Sequence, residues 1–233
     1  MDAPDATNKI EPLARLALRH RVVHRLISAI VSGELAAGTR LVAKRLAERL
    51  GVSATPIREA LVELEQMGVV KIFHNRGAVA GPFGRRELRE VFHIRRILER
   101  EATLCAAGRI DLSKLAPLKV EVETLLRQGP DAPHEWLRDS IANNRRFHGL
   151  IADHCGNGRL CDEIRRYASL LEALIEAVGD QIALHREMLG GHVGIADALL
   201  AGNASAAAEA MARYVDDVGR CLEQSLFDHQ PES

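Results

Sequence analysis

The sequence is poor in aromatic residues and lacks both regularly spaced cysteine pairs and long apolar runs. Phe, Trp and Tyr make up 3% of the 233 residues, whereas Ala and Leu abound, as they do in largely helical proteins. The cysteines have neither Cys-x-x-Cys nor zinc-ribbon spacing, and we interpret all four as reduced thiols: Cys105, Cys155, Cys161 and Cys221. The N-terminal MDAPDATNKI lacks the basic and apolar regions of a signal peptide, and no apolar run approaches the length of a membrane span. We therefore expect a soluble, cytoplasmic protein with no membrane partner.

The charge of the chain changes sign along its length. Residues 1–83 contain 12 Lys and Arg against 8 Asp and Glu, a balance of +4, whereas residues 84–233 contain 19 against 24, a balance of −5. A hydrophobic content of 47% supplies ample core for one large or two small domains. A basic part joined to an acidic part is typical of a nucleic-acid-binding module attached to another domain, although the excess here is modest.

Two short helical patterns joined by a Gly-Val turn occupy the stretch LVAKRLAERLGVSATPIREALVELEQM, residues 41–67. Gly51 lies where the first helix must end, at a position that often requires a positive φ. Ser53 or Thr55 can cap the second helix. Apolar residues of that second helix recur at the spacing of one buried stripe: Ile57, Ala60, Leu61, Leu64 and Met67. The tight pair predicts a helix-turn-helix, with an ordinary helical hairpin as the alternative.

The segment after Met67 changes from a helical to an alternating, β-branched pattern. VVKIF predicts one strand, HNRG a turn and AVAG a second strand. His74 and Arg76 lie at the tip of this hairpin, from which they can reach a DNA backbone or minor groove. A plain helical bundle has no reason to insert a hairpin here. We therefore predict a winged helix-turn-helix domain over residues 10–83 that binds double-stranded DNA.

The remainder of the chain, residues 84–233, has helical periodicity throughout, interrupted by glycine-containing breaks. Six helices are predicted, over residues 85–107, 112–128, 132–154, 157–178, 180–201 and 204–226. Such a bundle is large enough to enclose a cavity. The predicted fold is therefore mainly α: a winged helix-turn-helix of three helices and a β-hairpin, followed by an all-helical bundle. Residues 1–9 are predicted to be disordered.

Several of these motifs resemble those of the GntR family of bacterial regulators, namely GTRL, LAERLGVSATPIREAL, LEQMGVV and RGAVAG. The C-terminal part is similar to the ligand-sensing FCD domain of the FadR subfamily, in VFHIRRILEREATLCAA, NNRRFHGLIADHCGN and GGHVGIADALLAGNASAAAEAMARYV. The resemblance implies a homodimer that binds a palindromic operator and a small metabolite that changes operator affinity. It also implies a set of operator contacts: Lys44, Ser53, Thr55 and Arg58, with His74 and Arg76 in the wing. The family usually has an arginine where this chain has Ala54, which predicts relaxed specificity at that position.

The position of Arg58 supports an operator contact independently of the resemblance. Arg58 faces away from the buried stripe and can reach a guanine edge or a phosphate. The alternative is a solvated arginine held by an acidic residue one turn away. None of the residues within that reach is acidic, which disfavours the alternative: Ala54, Thr55, Leu61 and Val62.

Polar residues also occur on stripes that face the core of the predicted bundle. Asn144 and His148 lie one turn apart on such a stripe, and His192 and Tyr214 lie on stripes of two later helices. In many FCD domains the four matching positions are Asp, His, His and His, and they bind a divalent metal. Here Asn144 offers only a neutral carbonyl, and Tyr214 must lose a proton with a pKa of about 10 before it ligates well.

The remaining donors, Asn144, His148 and His192, form a poor site for Zn²⁺, Ni²⁺ or Mn²⁺. One alternative is that these residues and Tyr214 bind a ligand or an ordered water directly by hydrogen bonds. Another is a satisfied polar network without a ligand. Two further imidazoles have less favourable registers: His154 and His185.

By resemblance, Arg95 is placed to clamp the carboxylate of an organic acid, with Arg96 as a second possibility. The alternative is a salt bridge with Glu99, one turn away. The sequence thus predicts a ligand-responsive DNA-binding regulator, a repressor, whose effector is an organic acid. The alternatives are a DNA-binding regulator with a vestigial, ligand-free pocket and a metal-dependent hydrolase. Since the chain lacks paired carboxylates, a nucleophile motif and an open three-ligand metal set, we do not expect an enzyme.

Overall fold

Two units make up the chain, Met1–Pro82 and Phe83–Ser233. The computed structural model describes residues 13–73, 77–129, 133–179 and 182–228. The predicted disorder of residues 1–9 and the predicted wing-tip contacts of His74 and Arg76 therefore lie outside the described residues.

The described part of the first unit contains three helices and a small antiparallel sheet. Its elements are α1 (Leu13–Val31), β1 (Arg40–Leu41), α2 (Ala43–Leu50), α3 (Ala54–Gln66), β2 (Val70–Phe73) and β3 (Gly77–Ala80). The sheet has the order β1-β3-β2, so that β2 is an edge strand and β3 is central. The winged helix-turn-helix prediction is confirmed, except that β1 was not predicted. Its two residues are held by pairing with β3, Arg40 opposite Val79 and Leu41 opposite Ala78.

The turn between α2 and α3 has the geometry that the sequence predicts at Gly51 but not at Ser53. Gly51 adopts a φ of 66° and donates its backbone N–H to the carbonyl of Ala47, which ends α2. Ser53 is the N-cap residue of α3 with extended backbone angles, but its side chain makes no capping hydrogen bond. The side chains of Ile57 and Leu64 are completely buried and hold α3 in the core of the unit.

The second unit is a bundle that contains six helices within the residues that the structure describes, as predicted. Its elements are α4 (Arg85–Ala106), α5 (Leu112–Gln128), α6 (Pro133–His154), α7 (Gly158–Val178), α8 (Ile182–Leu200) and α9 (Ala204–Phe227). Asn157 and Asn203 cap α7 and α9 by accepting the backbone N–H groups of Leu160 (3.2 Å) and Ala206 (3.0 Å). Among the described residues, none of the helices is both long and apolar enough to span a membrane.

Two glycines allow α9 to pack closely against its neighbours. A Cβ added at Gly219 would lie 2.8 Å from the Phe92 ring on α4, and one added at Gly191 on α8 would lie 2.5 Å from the Tyr214 ring on α9. Real Cβ atoms do not approach other atoms so closely, so a larger residue at either position requires the helices to move apart. The backbone of α8 is therefore in direct contact with the Tyr214 ring.

The chain has a single tryptophan, and it lies in the core of the second unit. Trp136 is 4% exposed and packs in a cluster with Val122, Leu125, Leu137 and Leu189. Its indole Nε1 donates a hydrogen bond to the Leu125 carbonyl at 2.9 Å. Its fluorescence therefore reports on the folding of the second unit alone.

All four cysteines are free thiols. Cys155 and Cys161 are buried, whereas Cys105 and Cys221 are half-buried. Burial raises the pKa of the Cys105, Cys161 and Cys221 thiols above its ordinary value. These thiols are consequently protonated near neutral pH, in keeping with a structural position.

Candidate functional site

The N-terminal half of α3 presents a small polar face away from the core of the first unit. Ser53, Thr55 and Arg58 are exposed on this face, and Lys44 is exposed on α2. Among the described residues, neither Arg58 nor Lys44 has an ion-pair partner, whereas Arg25 and Arg49 both bind Glu34 at 2.7 Å. The structure thus places the four predicted operator residues that it describes on accessible surface, with two unneutralised cations among them.

The wing strand β2 is fastened to the end of α3 by a side chain that the sequence analysis missed. The Ile72 backbone N–H donates a hydrogen bond of 2.7 Å to Oε1 of Glu65. Because β2 is an edge strand, this carboxylate is in a position to fix the wing relative to α3. The sequence gives no signal for this role, because an exposed glutamate on a helix is common. The role becomes visible only once the position of β2 in the sheet is known. Next to this bond, the ammonium of Lys71 lies 5.5 Å from the Phe73 ring centroid.

Six buried polar residues meet in the interior of the second unit, and we call them the polar cluster: Arg95 and Glu99 of α4, Asn144 and His148 of α6, His192 of α8 and Tyr214 of α9. Their exposed fractions are all between 1% and 8%. The structure therefore brings all five residues of the predicted effector site together and adds Glu99 to them.

The first part of the polar cluster is a chain of contacts from Arg95 to His192. Nε and Nη2 of Arg95 donate to Oε1 of Glu99 at 2.9 and 2.6 Å. The other oxygen of Glu99, Oε2, lies 2.7 Å from Nδ1 of His148. The Nε2 atoms of His148 and His192 are 3.2 Å apart, within hydrogen-bond distance. Glu99 thus joins the guanidinium to the pair of imidazoles.

The second part of the polar cluster is a bond between Tyr214 and Asn144. The Tyr214 hydroxyl donates to Oδ1 of Asn144 at 3.0 Å. The Tyr214 ring lies 5.1 Å, between centroids, from the rings of both His148 and His192. Phe147 stacks on His192 from the other side at 4.3 Å. Aromatic rings therefore pack against both imidazoles.

The charges of the polar cluster follow from these contacts. Burial alone would raise the pKa of Glu99, but the charge of Arg95 and the contact with His148 outweigh it and lower that pKa to about 2. Burial, together with the nearby His148, lowers the pKa of His192 well below its ordinary value. Burial raises the pKa of Tyr214 above its ordinary value. At neutral pH the carboxylate is ionised, His192 is neutral and the phenol keeps its proton.

These protonation states do not fit a metal centre. The Tyr214 phenol is protonated and donates to the carbonyl oxygen that Asn144 would offer. The Glu99 carboxylate already contacts Arg95 and His148. Two imidazoles then remain, fewer than the three protein ligands of even an open zinc site. The metal set of Asn144, His148 and His192 stays a prediction, and these contacts disfavour it.

The other candidates of the sequence analysis make contacts of their own. Arg96 binds Asp216 at 3.0 Å, with both side chains partly exposed. His185 is buried and hydrogen-bonds with Ser140 Oγ at 3.0 Å. The salt bridge of Arg95 with Glu99 was the predicted alternative to carboxylate binding, and it is present. That Glu99 also contacts His148 could not be seen in the sequence, because the contact depends on how α4 packs against α6.

Comparisons with known proteins agree with this architecture. Residues 18–79 match the bacterial regulatory proteins of the gntR family, and residues 90–217 match the FCD domain. The HTH-type transcriptional regulator McbR of Escherichia coli K12 is 30% identical over 155 residues, which are 66% of this chain and 68% of that protein. The HTH-type transcriptional repressor RspR of the same organism is 25% identical over 207 residues, 89% and 86% of the two chains. The solved structure of E. coli McbR/YncC matches with a TM-score of 0.65 at 25% identity, covering 92% of this chain and 99% of that one.

Proposed function

Because the chain belongs to the GntR family of bacterial transcription regulators and carries an FCD domain, we propose that it is a ligand-responsive repressor of the FadR subfamily. It binds a palindromic operator as a homodimer through the winged helix-turn-helix. A small molecule bound in the FCD domain shifts the relative positions of the two winged helices in the dimer and so lowers operator affinity.

The observation that carries the DNA-binding part is the exposed face of α3. Arg58 lies there without an ion-pair partner among the described residues, next to the exposed hydroxyls of Ser53 and Thr55. A guanidinium that is not neutralised by the protein is free to bind a guanine edge bidentately or a phosphate. The Arg25–Glu34–Arg49 group shows the contrasting case, in which two arginines are held by one carboxylate.

Support for the ligand-sensing part comes from the polar cluster. It joins four helices, so a ligand that rearranges its hydrogen bonds changes how α4, α6, α8 and α9 pack. Nη1 of Arg95 and Nδ1 of His192 are buried without a partner among the described residues. Buried polar atoms of this kind normally bind a ligand or water, which favours a sensing site over a vestigial, ligand-free pocket.

The DNA-binding part is tested by selecting operators from a random-sequence DNA pool with the full-length protein. We expect an inverted repeat, and we expect Arg58→Ala to weaken binding to it by about 1–3 kcal/mol, or roughly 5- to 150-fold. Arg138→Ala removes an equal charge from the exposed surface of the second unit and should leave affinity unchanged. A pool without enriched sequences, or an Arg58→Ala protein that binds as tightly as wild type, contradicts the proposal.

The dimer and its response are tested on the same selected operator. Sedimentation should show two copies of the chain per inverted repeat, and a reporter gene placed behind the operator should be repressed. An organic acid is the effector that the sequence predicts, and it stays a prediction. The pairing of Arg95 with Glu99 disfavours an organic acid and favours a ligand of different chemistry.

A further inference from the structure

The residues of the polar cluster bond to one another at the positions where the resemblance to FCD domains implies a metal site. We propose that it senses its ligand without a metal, and that the ligand is an uncharged molecule with hydrogen-bonding groups. This inference rests on the proposed function, since it names the chemistry of the same sensing site.

The two residues that depart from the metal-binding pattern are bonded to each other. The Tyr214 hydroxyl donates to Oδ1 of Asn144 at 3.0 Å, so that a neutral phenol and a neutral amide satisfy each other. Gly191 leaves the space that the phenol ring needs, because any Cβ at that position would lie 2.5 Å from the ring. Two changes that each weaken a metal site therefore form one hydrogen bond in its place.

The two remaining histidines also make contacts within the polar cluster. Nδ1 of His148 lies 2.7 Å from Oε2 of Glu99, and since a carboxylate can only accept, this contact calls for a proton on Nδ1. Nε2 of His148 lies 3.2 Å from Nε2 of His192, so that one of these two nitrogens carries the proton that the other accepts. A ring nitrogen that carries a proton cannot bind a metal. Nδ1 of His192 is buried without a hydrogen-bond partner among the described residues.

The charge of Arg95 is already balanced within the polar cluster. Arg95 binds Glu99 through Nε and Nη2, so one guanidinium and one carboxylate form a neutral pair. A ligand carboxylate bound at Arg95 would face the charge of Glu99 in a buried environment, where like charges repel strongly. Nη1 of Arg95 remains as a buried donor. With the guanidinium charge already paired, the two buried nitrogens, Nη1 of Arg95 and Nδ1 of His192, are matched by an uncharged compound with amide, carbonyl or hydroxyl groups.

The metal part is tested by restoring the pattern in the full-length protein. After treatment with a chelator, Co²⁺ is titrated and followed by its visible absorption, and Zn²⁺ is titrated against a chromophoric chelator. We expect the Asn144→Asp/Tyr214→His variant to bind one ion at least roughly 100-fold more tightly than wild type or either single variant. Adding His148→Ala to the double variant should abolish this binding. Circular dichroism and Trp136 fluorescence establish that each variant is folded.

Two results overturn the metal part. Wild-type protein that binds one equivalent of Zn²⁺, lost in His148→Ala, shows that the cluster holds a metal as it is. A folded double variant without increased affinity shows that these two positions do not account for the absence of a metal. Metal that persists in His148→Ala lies outside the cluster, and only the His148-dependent binding is compared.

The ligand part is tested with acetamide and acetate, two probes of the same shape that differ in charge. Thermal unfolding of the second unit is followed by Trp136 fluorescence at constant ionic strength. Acetamide should raise the midpoint of wild type and acetate should not. In Glu99→Gln the order should reverse, because the charge of Arg95 is no longer balanced. Glu101→Gln, an exposed change on the same helix, should respond as wild type does.

The outcomes separate this inference from the proposed function. If acetate stabilises wild type more than acetamide does, the inference fails and ligand-responsive regulation stands. If neither probe stabilises wild type while acetate stabilises Glu99→Gln, the wild-type cluster does not accept ligands that can physically reach it, and both the inference and the sensing part of the proposed function fail. Operator selection with Arg58→Ala is independent of either result.

Discussion

Replacing Glu99 by glutamine should make the stability of the second unit less dependent on pH. The pKa of Glu99 is lowered from 4.5 to about 2 in the folded protein. Ionised Glu99 therefore contributes its full stabilisation above about pH 4.5 and loses it as the pH falls towards 2. Since one decade in the acid equilibrium corresponds to about 1.4 kcal/mol, the contribution at neutral pH is about 3 kcal/mol. Glutamine keeps the size of the side chain and removes the charge, leaving that of Arg95 unbalanced.

The assay is urea unfolding followed by the fluorescence of Trp136, which lies in the same unit. At pH 7 we expect Glu99→Gln to be less stable than wild type by about 3 kcal/mol. At pH 3.5 the difference should shrink by about 1 kcal/mol, because part of the wild-type Glu99 contribution has been lost. Glu101→Gln on the same helix is exposed and should match wild type at both pH values. Equal stability of wild type and Glu99→Gln at pH 7, or a difference that grows at pH 3.5, would refute the reasoning.

Two further substitutions test the packing of α8 and the attachment of the wing. Gly191→Ala should lower the free energy of unfolding by about 1–3 kcal/mol, because its Cβ would lie 2.5 Å from the Tyr214 ring. Gly194→Ala on the same helix, where a Cβ meets nothing within 4 Å, should be neutral or stabilising by up to about 1 kcal/mol, and urea unfolding distinguishes the two. Glu65→Ala should weaken operator binding about fivefold in a gel-shift titration by releasing the wing strand, whereas the exposed neighbour Gln66→Ala should not. Equal effects of Gly191→Ala and Gly194→Ala, or of Glu65→Ala and Gln66→Ala, would contradict the assigned contacts.

The helices could be predicted from the sequence because their limits depend on local signals. Apolar periodicity and the glycine-containing breaks gave six helices in the second unit whose observed ends differ by only a few residues. Strand β1 could not be predicted in this way. It contains two residues, and only its pairing with β3 makes it a strand. The side chain of Ser53 illustrates the same limit, since its residue type favours a cap that the folded turn does not form.

The same difference between local signals and tertiary contacts applies to the polar cluster. The spacing of Asn144 and His148 placed both side chains on a buried face of one helix, and the structure shows both buried. The bond from Tyr214 to Asn144 joins residues 70 positions apart, and the contact of Glu99 with His148 joins two helices. Contacts of this kind depend on how helices pack, which periodicity does not specify. The sequence therefore identified the members of the cluster better than it identified their partners.

The bond between Tyr214 and Asn144 also constrains the paths by which this protein can evolve. An apolar residue at either position alone leaves the other residue with an unpaired buried atom, at a cost of about 1–3 kcal/mol. A lineage that loses this hydrogen bond through an apolar residue at one position must pass through such a weakened ancestor or change both codons together. Gly191 adds a third constraint, because an alanine there excludes the phenol ring. We expect descendants of a common ancestor to inherit these three residues as a set, which an alignment of relatives can reveal.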